Sequence, residues 1–230
     1  MPRKNFHQTH TATTAVVLIA CLFGLILIYL PAIGGDFVWD DDDYVTQNQQ
    51  IANEGGLARI WFDRTSTPQY YPLVFTTYYL EHQIWDLDPL GYHVTNVVLH
   101  WFTAVLLWRV LLRLSVPGSA LAAIVFALHP VQVESVAWIT ERKNVLSAAF
   151  YLGSALMYLR FRGRNRMAAR RSPSVDYALA IVMYCGAVLS KSVTCSLPAA
   201  LLVVTWWRDG RITRRDVLPL LSMFAVGLAA

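Results

Sequence analysis

The sequence predicts an all-α polytopic membrane protein, and three observations predict it. Apolar residues make up 56% of the 230 residues, and the mean hydropathy is +0.41, above the roughly 45–50% apolar content of soluble domains. Eight tryptophans and eleven tyrosines suit membrane interfaces, where an amphipathic ring has an apolar body and a wet edge. The basic residues also segregate onto alternate inter-span segments, as the positive-inside rule demands.

In chain order, residues 1–12 form a short basic N-terminus with Arg3 and Lys4. Residues 13–33 form the first span. Its apolar run, through ATTAVVLIACLFGLILIYLPAI, exceeds the about 7–15 residues of a cleavable signal core and reaches the roughly 20 residues a span needs. Residues 34–92 form the longest polar segment. Within it, YYPLVFTTYYLEHQIW has aromatic residues at helical spacing and too many polar groups to cross a bilayer, so it predicts a helix lying in the interface.

Further apolar runs cover residues 94–112, 120–139, 145–159, 177–189, 193–207 and 217 onward. They predict about six or seven spans, the pair joined by SKS being alternatively one re-entrant hairpin. A second outer loop falls near 130–144, and basic loops near 160–175 and 208–216. The last run reaches Ala230 without a polar flank, which predicts a partial chain.

With the N-terminus cytoplasmic, 14 of the 19 basic residues lie inside and 12 of the 15 acidic residues outside. The basic loop from Arg160 to Arg171 reads as this charge bias together with attraction to anionic lipid, and not as a nucleic-acid site. The three cysteines all sit in apolar runs, which argues against a disulfide framework.

Three clusters could carry chemistry. The first is FVWDDDDYVTQN, with Asp40, Asp41, Asp42 and Asp43 in a row. Read by itself, this is a solvated acidic turn. It also permits a divalent cation, although no residue pattern requires one, and the Asp-x-Asp pattern of nucleotide-sugar enzymes. A further reading is a general base poised by neighbouring carboxylates. The second cluster is GYHVTNVVLH, where His93, Asn96 and His100 share one helix face; they serve either interhelical hydrogen bonding or a site. The third is HPVQVESVAWITERKNVLS, with His129, Glu134, Glu141, Arg142 and Lys143. Glu134 and Glu141 are seven apart and align on a continuous helix, and an Arg–Lys pair at headgroup level suits a phosphate. Lys191 adds a third cation on that face. Two classes of function use such a constellation: a membrane-embedded transferase with a phosphorylated lipid donor, and a non-enzymatic transporter or envelope assembly factor. The polar clusters all lie at one face, whereas a transport path needs access from both.

These motifs, followed by LSKSVTCSLP, occur in an order that resembles the N-terminal membrane region of the tetratricopeptide-repeat-associated O-mannosyltransferase-like family, over roughly residues 14 to 208. The resemblance implies a GT-C-like helical bundle, here partial, with more spans and tetratricopeptide repeats beyond it. It implies a polyprenyl-phosphate-linked sugar as donor, mannose or another hexose, and inverting transfer to a hydroxyl of protein Ser/Thr. Membrane lipid is the remaining partner, and no cofactor is required. On this resemblance Asp41 is the base and Asp40 its partner. Arg142, Lys143 and Lys191 hold the donor phosphate. Glu134, Glu141, His93, His129 and Asp42 contact sugar or acceptor. Similar sequences usually carry proline where Ser192 follows the serine–lysine pair. The expected location is a bacterial inner membrane, with an extracytoplasmic site.

Overall fold

The computed structural model describes residues 5–163 and 172–229, with side chains described from Ile19 onward. Arg3, Lys4 and the centre of the basic loop, 164–171, lie outside the described residues. Every regular element among the described residues is helical.

Helix α1, Asn5–Ile33, ends just past Pro31. The tetrad follows as a tight π-type turn over Asp42–Thr46. Three short helices come next: α2, Gln49–Ala52, α3, Gly56–Phe62, and α4, Pro72–Trp85. Asn48 caps α2 through the Gln50 N–H, and Pro72 opens α4 at a position where its missing N–H costs nothing. Segment 34–88 is therefore a folded cap and not an open loop. Its core stacks Tyr44 on Phe75 at 5.2 Å and packs Ile51, Ile60, Val74 and Tyr78 against Tyr92 and Ile139.

Gly56 fixes how closely α2 and α3 approach. A Cβ there would lie 1.9 Å from the Gln50 carbonyl oxygen, a backbone atom with no rotamer to yield. Gly56→Ala should therefore separate the two helices and cost about 1–3 kcal/mol, read as a lowered thermal midpoint of the detergent-purified protein.

Helix α5, Pro89–Arg113, starts at Pro89 with Asp88 accepting from the Leu90 N–H. It is followed by α6, Ser119–Leu128, and α7, Val133–Ala137. Helix α8, Arg142–Arg162, then packs against α5 and against α9, Pro173–Ser190; α10, Leu197–Asp209, and α11, Arg214–Ala229, close the chain. Two apolar clusters join these helices. One places Leu25 and Tyr29 of α1 against Val97, Ala104 and Ala127. The other joins Leu156, Leu159, Tyr184, Leu201 and Met223 of the later helices.

By length and composition, α5 and α9 can cross a membrane, and α6 with the following turn and helix counts as a third span if taken together. The expected span over 120–139 is bent by 52° at His129–Pro130, because proline cannot continue the helix and biases the residue before it away from helical backbone. The expected short span at 177–189 is a full helix of 18 residues that begins at Pro173. Helix α10, at 13 residues, is shorter than a span. Over its described residues this is a helical membrane protein with two or three helices long and apolar enough to span.

Candidate functional site

The third motif is where the chain is bolted together. After α7 the backbone becomes extended at Trp138 (ψ 121°), makes a single 3-10 turn over Ile139–Glu141, and re-enters helix at Arg142. Glu134 and Glu141 therefore do not share the continuous helix face that their spacing suggests. Glu134 is exposed.

Three segments hold this turn. Tyr78 on α4 donates its hydroxyl to the Ile139 carbonyl at 2.8 Å, and Asn96 on α5 donates to the Trp138 carbonyl at 3.1 Å. Asp41 completes the grip. It is 0% exposed. Its Oδ1 accepts from the Thr140 N–H at 2.8 Å and the Thr140 hydroxyl at 2.5 Å, and its Oδ2 accepts from the Val38 N–H at 3.0 Å. A charged acceptor with three donors is satisfied without water.

Arg142, also 0% exposed, is the second bolt. Its Nε donates to Asn96 Oδ1 at 2.8 Å, one Nη reaches Thr77 at 3.2 Å and pairs with Glu81, and the other donates to the Tyr92 carbonyl at 2.8 Å. The guanidinium also lies 4.7 Å from the centre of the Tyr78 ring, a cation–π distance. Burial pushes the Glu81 carboxyl up, and Arg142 opposes that rise. Arg142 therefore ties α4, α5 and α8 together with its donors turned inward. As a donor-phosphate ligand it would need to leave these partners.

The groups nearer the surface are the neighbours of these bolts. Asp40 is exposed and makes no side-chain hydrogen bond among the described residues. Asp42 is exposed and accepts from the Thr46 hydroxyl at 2.7 Å. Among the described residues, no group of three or more His, Cys, Asp or Glu converges as a metal cage. Trp39, just before the acid pair, is 77% exposed and has φ 52°, a left-handed backbone that costs a non-glycine residue energy. Its ring meets Trp138 edge-on at 5.2 Å.

Beside Trp138 runs a half-buried polar chain. Lys143 Nζ pairs with Glu141 at 2.8 Å, and the Asn144 amide bonds the other Glu141 oxygen at 2.5 Å and Ser135 at 3.0 Å. Asn144 in turn accepts from Lys191. The two side chains of the Lys143–Glu141 pair are 12% and 14% exposed. Tyr44 joins this chain to the tetrad. Lys143 lies 5.4 Å from its ring centre, and its hydroxyl donates to Gln69 at 2.8 Å. Burial chiefly pushes the Tyr44 pKa up to about 12, with Tyr71 and the charges of Asp40, Glu141 and Asp43 adding to the rise.

The structure thus brings together Asp40, Asp41, Glu141, Lys143 and Lys191. It does not bring His129, which is exposed and accepts the Val131 N–H at the start of a 3-10 turn. The second motif divides. His100 makes a buried interhelical contact to the Ala127 carbonyl at 3.0 Å, and Asn96 belongs to the Arg142 knot. His93 is buried beside the Ala137 backbone, and neither ring nitrogen completes a hydrogen bond.

Sequence reasoning missed Glu81, Thr140, Tyr44 and Asn144. Glu81 had a visible sign: it falls on the same α4 face as Val74 and Tyr78, so a lone carboxylate was placed on a buried apolar stripe. Asn144 lay inside the third motif, unremarked between its charged neighbours and the apolar run. Thr140 and Tyr44 had no such sign, because their roles depend on contacts 99 residues apart for Thr140 and across the cap for Tyr44.

An all-helical membrane protein with carboxylates and lysines gathered beside one buried turn defines a class, and similarity to known proteins narrows it. The chain is 31% identical over 173 residues to human protein O-mannosyl-transferase TMTC4, which covers 64% of this chain and 23% of that relative. It is 31% identical over 164 residues to mouse protein O-mannosyl-transferase TMTC2, 66% of this chain and 20% of that relative. A protein O-mannosyl-transferase of Caenorhabditis elegans is 30% identical over 157 residues, 61% of this chain and 22% of the relative. The chain is thus similar to protein O-mannosyl-transferases over somewhat less than two thirds of its length, and it spans about a quarter or less of the length of these relatives. No family model and no solved structure matches it.

Proposed function

We propose that the chain carries the catalytic face of a glycosyltransferase that moves a hexose, mannose by its relatives' names, from a polyprenyl-phosphate donor to a protein hydroxyl at the extracytoplasmic membrane surface. The observation that carries this reading is an exposed carboxylate with no side-chain partner among the described residues, Asp40, whose backbone carbonyl accepts from the Tyr44 N–H at 3.0 Å, while the Tyr44 ring lies beside Lys143 in the polar chain that ends at Lys191.

In this reading Asp40 is the base, and Asp41 holds the loop that presents it. The assignment favoured by resemblance is thereby reversed within the pair, because Asp41 is sealed from water while Asp40 is free. Asp40 takes the proton of the acceptor hydroxyl as that oxygen bonds the anomeric carbon. The bond from the anomeric carbon to the phosphate oxygen breaks, and its electron pair leaves with the phosphate. Lys143 and Lys191 stabilise that charge with the ammonium donors not engaged by Glu141 and Asn144. Arg142 fixes the turn from which Glu141, Lys143 and Asn144 project. Exposed Trp39 offers a sugar-stacking surface.

The test is transfer of labelled mannose from polyprenyl-phosphate mannose to a Ser/Thr peptide by the purified chain in lipid nanodiscs. Peptide labelling that requires the lipid-linked donor supports the reading. Labelling from a nucleotide sugar alone, or none from either donor, overturns it.

A further inference from the structure

The far end of the bundle carries a second polar site, independent of the transferase reading. Helix α8 runs 21 residues from Arg142 to Arg162, so Arg162 lies about 30 Å along the helix from the Asp41 turn. There α8, α10 and α11 enclose a cleft of about 640 Å³ lined by Arg162, Arg208, Arg211, Arg215, Asp209 and Asp216.

The carboxylates of this cleft are already spoken for. Asp216 accepts from Arg162 at 2.7 Å and from the Thr213 N–H and hydroxyl at 2.8 and 2.7 Å. Asp209 accepts from Arg162 at 2.6 Å and Arg208 at 2.9 Å. Arg162 and Arg208 thus balance the two acids, while Arg211 and Arg215 make no ion pair among the described residues and leave two positive charges on the wall. Arg162 Nη1 is also buried without an acceptor, an N–H whose desolvation is uncompensated until something accepts from it. The cleft has the volume of a small-ligand site, an excess of guanidinium groups, which bond phosphate in pairs, and a buried donor in need of an acceptor. A plain surface charge bias requires none of the last.

We propose that this cleft binds a phosphate group that keeps its net negative charge, the shared chemistry of an anionic lipid headgroup and of free phosphate. The test uses the whole chain in nanodiscs of phosphatidylcholine, with and without phosphatidylglycerol, followed by native mass spectrometry of retained lipid and thermal unfolding. Phosphatidylglycerol should be retained and should raise the unfolding midpoint. The double variant R211Q/R215Q touches no ion pair and should unfold normally in phosphatidylcholine, yet it should hold phosphatidylglycerol about tenfold more weakly. The double variant R59Q/R64Q removes the same charge elsewhere and should bind as the unaltered chain does. Titration with inorganic phosphate separates the sources. Displacement of the lipid by inorganic phosphate identifies a free-phosphate site, and binding that resists it identifies a headgroup site. Equal retention of phosphatidylcholine, or equal weakening in both double variants, overturns the proposal.

Discussion

Replacing Arg142 by methionine is expected to destabilise the protein by about 3–5 kcal/mol, the usual cost of removing one partner from a buried ion pair. The large effect comes from what is left behind. Methionine roughly fills the volume, but the Glu81 carboxylate, 5% exposed, would lose its counter-charge, and the Asn96 oxygen and the Tyr92 carbonyl would lose their donors. The double variant Glu81→Leu with Arg142→Met removes both charges and should recover part of the loss, since apolar replacement of a whole buried pair is often neutral. Thermal unfolding in detergent, followed by size-exclusion fluorescence, measures both. If Arg142→Met unfolds normally while losing affinity for the lipid-linked donor, Arg142 contacts donor phosphate and the structural role argued here fails.

That one residue shows where sequence and structure part. Its position was legible: Arg142 and Lys143 stand out as two of only five basic residues expected on the outer side. Its role was not, because nothing local tells a cation facing ligand from one turned into the core. The deciding partners, Thr77, Glu81 and Tyr92, lie 50 to 65 residues away. Helicity was legible for a different reason. Apolar runs of span length fix helices through backbone satisfaction alone, so α5 and α9 lie where hydropathy puts them. The break within 120–139 was also readable, since HPV places proline mid-run. The folded cap over 34–88 was half legible: α4 followed from its aromatic spacing, but the π-type turn that buries Asp41 depends on Thr140, a contact across 99 positions. The same tertiary contact divides the aspartates, which are indistinguishable in sequence, into one sealed and three exposed.

This division makes opposite demands on Asp40 and Asp41, and two substitutions separate them. Asp40→Asn should abolish most transfer, with a loss of about 10²–10⁴-fold as expected for a general base, and leave the unfolding midpoint unchanged because the Asp40 side chain makes no hydrogen bond or ion pair among the described residues. Asp41→Asn should do something different. An asparagine keeps one acceptor oxygen for Thr140, but its amide would then point an N–H at the Val38 N–H, which now donates to Oδ2 at 3.0 Å. Two facing donors and a lost charge should cost about 1–3 kcal/mol, so the fold itself should soften. Activity should fall in Asp41→Asn only as far as the loop carrying Asp40 is released. The distinguishing readout is the pair of measurements together: transfer of mannose to peptide, and thermal midpoint. Asp40→Asn inactive with an unchanged midpoint, and Asp41→Asn softened with partial activity, is the result the geometry requires. The reverse pattern, in which Asp41→Asn is folded but dead and Asp40→Asn is fully active, would mean that the turn opens during turnover and exposes Asp41. The base would then be the sealed carboxylate after all, with Thr140 as the latch that holds it closed.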